Sequence, residues 1–260
     1  MHTVTSADGT TIGYTQSGSG PALLLVHGTT ADHRRWDPLL PHFEPHFTVY
    51  AMDRRGRGGS GDAPDYHILR EAEDVAAVVD AIGGPVSVLG HSYGAVCGLE
   101  AALRTPNIHR LVLYEPPIPT GIPLTSPEVL SRMEDLMASG ANEAALELFF
   151  RETVGMPEDE LKAYRQLAAW PIRVKLAPTI PREERIDGTY TFEPARFAVL
   201  QVPTLLLQGG DSPAYMRQAT ATVDAALPNS SIVILPDQRH VAMDTAPELF
   251  ISEVLSFLQA

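Results

Sequence analysis

Residues 85–106 read PVSVLGHSYGAVCGLEAALRTP, and the change of character halfway along this stretch decides the fold. The segment VSVL is short, apolar and Val-rich, the pattern of a strand covered on both faces. From Tyr93 the spacing becomes helical, until Pro106 stops it. The switch is confined to GHSYG at 90–94, so Ser92 sits on a turn with no room for a loop. Such a turn needs a strained backbone at its tip and neighbours without side chains, which Gly90 and Gly94 supply. G-x-S-x-G between a strand and a helix lifts the serine hydroxyl above the sheet and aims a helix N-terminus at it. That is a setting for a nucleophile. The plainer alternative is a serine in an ordinary strand–helix turn.

Outward from this corner the same rhythm continues. ALLLVHG (22–28), FTVYAMD (47–53) and RLVLYEPP (110–117) are further short apolar runs, and Asp8-Gly9 marks a hairpin near the N-terminus. Residues 68–84 carry apolar positions at helical spacing and end in Gly83-Gly84, a C-cap signal. Strands alternating with helices predict a mostly parallel sheet covered on both sides. Between 118 and 196 there are helical patterns and no convincing strand. The beat then resumes with PTLLLQGG (203–210), a helix near 213–227, SIVILP (231–236) and a closing helix. The expected architecture is α/β with an eight-stranded sheet and one helical insertion.

The chain has 260 residues, 44% of them hydrophobic, which suffices for one large domain with a sizeable core. A net charge of −13 argues against nucleic-acid and anionic-membrane partners, since both would repel it. The lone Cys97 has no partner for an internal disulfide, no apolar run reaches membrane-spanning length, and the first residues lack a signal-peptide pattern. A cytoplasmic protein is expected, and a homo-oligomer is compatible with the sequence.

If Ser92 is a nucleophile it needs a base, and His240 is the best placed, in a loop between the last expected strand and the closing helix. His27 precedes a glycine turn and reads as a structural hydrogen-bonder, and His91 flanks the nucleophile but points elsewhere on the turn. His42 and His46 have metal-pair spacing, but Pro41 and Pro45 disrupt the helix that would align them. GRGGSG at 56–61 spells a dinucleotide fingerprint, yet DAPDY follows where a helix should begin, so its arginines read as loop-bracing ion-pair partners. Neither a metal nor a cofactor is expected.

The HGTT turn (27–30), DRRGRGGSG (53–61), GHSYG and the late His240 together make the chain resemble the α/β-hydrolase fold superfamily over nearly its whole length. The resemblance implies a core formed by 1–117 and 197–260, with 118–196 as a helical cap over the site. It implies an oxyanion hole built from the N–H of Tyr93 and that of Thr29 or Gly28, and the order serine, acid, histidine. The acid stays open. Family members commonly place it in a G-x-x-D turn, but that position counted from Gly209 is Ser212, and Asp211 falls one residue short. A minority carry it after the preceding strand, which here points to Glu115 before Pro116-Pro117. Glu115 is the preferred acid and Asp211 the alternative.

An apolar cap, with Met137, Phe150 and Trp170 as candidate pocket residues, suggests a hydrophobic ester or lactone as small-molecule substrate. The expected activity is that of a serine hydrolase acting through an acyl-enzyme. Its rivals are a C–C bond hydrolase or lyase with the same residues, and a non-catalytic ligand receptor on this scaffold.

Overall fold

The computed structural model describes residues 1–121 and 123–260 and holds one eight-stranded sheet. Its strands are β1 (His2–Thr5), β2 (Thr11–Gly18), β3 (Ala22–Val26), β4 (Thr48–Met52), β5 (Val86–His91), β6 (Ile108–Tyr114), β7 (Thr204–Gly209) and β8 (Ser230–Leu235). They lie in the order β1-β2-β4-β3-β5-β6-β7-β8. The β1–β2 hairpin is antiparallel, with Thr5 opposite Thr11, and β2 also runs antiparallel to β4. From β4 to β8 every pairing is parallel.

The unbroken apolar runs follow from this layout. Successive side chains of a strand point to opposite faces, and here both faces are covered. In β3, Leu24 and Val26 enter one core while Leu23 and Leu25 enter the other. In β5, Val88 and Leu89 divide in the same way. One core lies beneath helices Ile68–Ile82, Tyr93–Ala101 and Ala214–Ala226, and the other beneath the closing helix Pro247–Gln259.

Helix Tyr93–Ala101 ends before the expected Pro106, through turns at residues 102–104. Ile68–Ile82 ends as expected at Gly83, whose φ of 77° suits glycine. The segment between β6 and β7 contains helices and no strand among the described residues, and it is more broken than the sequence pattern suggested. Helix Asn142–Leu148 passes into a π turn at Phe149–Thr153. The helix Glu158–Tyr164 stops short of Trp170, which opens a separate helix, Trp170–Leu176. Proline accounts for part of this: Pro171, Pro178 and Pro181 each stand in the first turn of a short helix, the position that tolerates a missing N–H. These pieces share a third apolar cluster, which includes Met133, Phe149, Phe150, Tyr164 and Trp170.

Candidate active site

Ser92 stands at the tip of β5 with φ 55° and ψ −127°, the strained corner that the G-x-S-x-G spacing demands. Its N–H donates to Tyr114 O on β6 at 2.8 Å, and its carbonyl accepts Ala95 N–H at 2.8 Å. Both glycines are sterically required. A Cβ on Gly94 would lie 2.4 Å from His27 O and 2.5 Å from Val26 O, and one on Gly90 would lie 2.6 Å from Ala95 Cα. Gly28 is hemmed in similarly, its notional Cβ 2.9 Å from that of Ser92. Tyr93 N–H lies in the first helical turn and has no acceptor inside the helix.

Glu115 follows β6 with φ 45°, another strained residue, and is 1% exposed. Its carboxylate reaches across β7: Oε1 accepts Gly209 N–H at 2.8 Å, and Oε2 lies 2.6 Å from His240 Nδ1. Asp211 takes no part. It is exposed at the surface, its backbone N–H donating to Gln238 O at 2.9 Å. Ser212, where the commoner acid would fall, is buried with an unpartnered hydroxyl.

The loop carrying His240 is fixed by neighbours on both sides. The Tyr114 hydroxyl donates to Arg239 O and accepts Ala242 N–H at 3.1 Å. His91 does not point away from the site, as its place in the turn had suggested. Its ring packs 4.7 Å from that of His240, and its Nε2 bonds His240 O at 2.9 Å. Burial first, and then the neighbouring His240, push the His91 pKa well below the usual histidine range. The ring is therefore neutral and its Nε2–H is the donor. His27 is also buried and neutral for the same first reason, its Nδ1–H donating to Gly28 O and its Nε2 accepting Arg54 N–H at 3.1 Å.

Ser92, Thr29 and His240 line two adjoining lobes of one cavity, each of about 30 Å³. The first is walled by Tyr93, Phe149, Glu183, Tyr215 and Met216, among others. The second is walled by Gly28, His91, Phe150, Tyr164 and Arg173. Among the described residues Ser92 Oγ makes no hydrogen bond. Phe150 reaches the cavity, but Met137 and Trp170 do not. Met137 packs against the helical cluster and Trp170 is buried within it, its indole N–H donating to Glu143 at 2.8 Å. Residues not anticipated from the sequence, such as Phe149, Tyr215, Glu183 and Arg173, come from the helical segment or the β7 exit, where no local pattern announces a pocket.

The arginines of the 53–61 loop brace it, as expected. Arg54 pairs with Glu71 through two bonds of 2.6 Å and lies over the Tyr93 ring, Arg55 pairs with Asp74, and Arg57 with Glu183. Asp32, His33 and Asp53 lie close enough to share a metal ion. Their ligand atoms are committed elsewhere, however: Asp53 accepts from His33 and Gly59 N–H, and Asp32 from Arg34. No described helix is long and apolar enough to cross a membrane.

Comparison with known proteins agrees with this fold. A family model described as "Alpha/beta hydrolase family" matches residues 23–253. An alpha/beta hydrolase structure from Sphaerobacter thermophilus is 39% identical, with a TM-score of 0.85 over 99% of this chain and 100% of that one. An esterase structure from Rhodococcus is 26% identical, with a TM-score of 0.81 over 100% of this chain and 98% of that one. The 2-(acetamidomethylene)succinate hydrolase of Mesorhizobium japonicum is 25% identical, covering 96% of this chain and 92% of its own length.

Proposed function

The chain belongs to the alpha/beta hydrolase family, and from that premise we propose that it is a serine hydrolase cleaving a carboxylic ester or lactone. The observation that carries the reading is the 2.6 Å contact of His240 Nδ1 with Glu115, beside a cavity shared with the strained Ser92. The Nδ1–H donates to the carboxylate, leaving Nε2 as the base. His240 takes the Ser92 proton, Oγ attacks the carbonyl, and the N–H groups of Thr29 and Tyr93 receive the oxyanion. One such donor supplies about 3 kcal/mol of transition-state stabilisation. His240 then protonates the leaving alcohol and activates water against the acyl-enzyme, while Glu115 holds the ring and balances its charge.

Ser92 and the His240 ring close their hydrogen bond when substrate excludes water from the cavity, as apo sites commonly do. Because the lobes are small, the helical segment between β6 and β7 acts as a cap that shifts to admit an ester. A fluorophosphonate should label the protein stoichiometrically at Ser92, and a p-nitrophenyl ester should give a burst of one equivalent. Both should vanish in Ser92→Ala. Labelling that survives this substitution would refute the assignment, and labelling without an ester burst would favour C–C bond chemistry.

A further inference from the structure

Five arginines are buried among the described residues: Arg35, Arg54, Arg55, Arg57 and Arg173. Four of them meet a carboxylate. Arg35 holds Asp244 with bonds of 2.8 and 2.6 Å, Arg54 holds Glu71, Arg55 holds Asp74 and Arg57 meets Glu183. Arg173, on helix Trp170–Leu176 and 5% exposed, has no acidic partner within ion-pair distance among the described residues. Its Nη1 donates to Thr30 Oγ1 at 3.2 Å, and its guanidinium lies 5.0 Å from the Tyr164 ring centre and 6.0 Å from that of Phe150. A hydroxyl and two ring faces hold the group in place without neutralising it. A buried cation left in that state is costly, and proteins retain one where a ligand completes the pair.

That missing charge belongs beside Ser92. Arg173 walls the same lobe as Gly28, Thr29, Ser92 and His240. The other charged side chain of the lobe, Arg35, already occupies both oxygens of Asp244. Of the two histidines there, His91 is neutral. Among the described residues that wall the lobe, Arg173 is thus the cation that no carboxylate bonds. The anchor is itself unusual, since Thr30 is fully buried with φ 60°, a β-branched residue in the left-handed region, in the turn that also carries Thr29. The strain fixes Thr30 where its hydroxyl ties Arg173 to the loop nearest the nucleophile. The opposite lobe is lined by Glu183, which has one carboxylate oxygen without a partner, and so disfavours an anion.

Building on the serine-hydrolase reading, we infer that the substrate bears a free carboxylate, which Arg173 binds in the lobe beside Ser92 while the remainder lies toward Glu183. The substrate class is therefore an ester or lactone of a carboxylate-bearing acid or alcohol. A guanidinium offers parallel N–H groups to a carboxylate, the bidentate geometry that separates acids from their neutral amides.

The test uses two matched pairs, mono-4-nitrophenyl glutarate against its glutaramate twin, and 3-carboxyphenyl acetate against 3-carbamoylphenyl acetate. In at least one pair the acid should have the higher kcat/KM by about tenfold or more, mainly through KM, as a charge-assisted hydrogen bond supplies. Arg173→Met should bring that ratio to about one, with Arg173→Lys in between. Ratios near one in the wild type, or a ratio unchanged in Arg173→Met, overturn the inference. If no ester is turned over and the fluorophosphonate leaves Ser92 unlabelled, the serine-hydrolase reading fails separately. The carboxylate site is then judged on melting temperature, which glutarate but not glutaramide should raise in Ser92→Ala, and not in Ser92→Ala/Arg173→Met.

Discussion

Two helices of this molecule are built on opposite terms. All nine residues of Tyr93–Ala101, which follows the strained serine, are buried, whereas on Pro127–Ala138, in the segment between β6 and β7, only Met133 is. The first is pressed so closely to β3 that it needs Gly94 at the contact, and it positions Ser92 through its backbone. The second lies on the surface of a thin helical layer that contributes side chains to the cavity rather than backbone geometry. The contrast separates two tasks. On the proposed reading, the reacting groups are held by a sheet with two cores, where one misplaced atom has nowhere to go. The groups that would sort substrates on that reading sit on short, broken helices that can change with little damage to the sheet.

The largest effect expected from breaking this arrangement is at the acid. Glu115→Gln should lower turnover of a hydrolysable ester about 10⁴-fold, or roughly 5 kcal/mol, by losing the correct histidine tautomer. Asp211→Asn should change it less than about twofold, as an exposed surface position does. Steady-state kinetics of both variants decide the matter, and the reverse ranking would falsify the role given to Glu115.

Next comes the packing itself. Gly94→Ala drives a methyl against two backbone carbonyls, at 2.4 and 2.5 Å, and should cost about 3 kcal/mol or more in urea unfolding. Gly140→Ala, after helix Pro127–Ala138, has φ +80° and nothing within 4 Å, so only the left-handed backbone resists it, by about 1 kcal/mol. Equal costs would remove the distinction drawn between the two regions.

The last test is electrostatic. Burial alone would raise the Glu71 pKa, but the charge and hydrogen bonds of Arg54, with Arg57 and Tyr66, bring it down from 4.5 to about 2. A depressed carboxylate pKa adds stability that is complete above the unfolded value and is lost as pH falls through the folded one. Glu71 should therefore contribute stability that is lost as pH falls between about 4.5 and 2. Glu71→Gln should flatten that limb of the stability curve. Its counterpart in the helical segment is Glu158, whose pKa is lowered by Arg151 at the fully exposed surface. Solvent screens that pair, so Glu158→Gln should leave the limb unchanged.

Much of the α/β framework was legible because its signals are local. The runs at 22–28 and 85–92 are nearly continuous in apolar residues since each alternates between two cores, and that shows in the residues themselves. GHSYG announces a strained corner in five letters. The helical segment was legible only as helical: proline-started turns and a π turn at Phe149–Thr153 leave no clean period, so Met137 and Trp170 could not be told from the residues that reach the cavity. His91 escaped because its direction depends on where the His240 loop lands.

By itself, then, the chain determined the strand–helix alternation, the nucleophile corner and the late histidine, all consequences of backbone preference and side-chain period over a few residues. Tertiary structure decided which acid meets that histidine and which cation is left unpaired beside it. Those choices depend on contacts between residues 125 and 143 positions apart, and only the closing of the sheet and the seating of the helices above it bring such groups within hydrogen-bond reach.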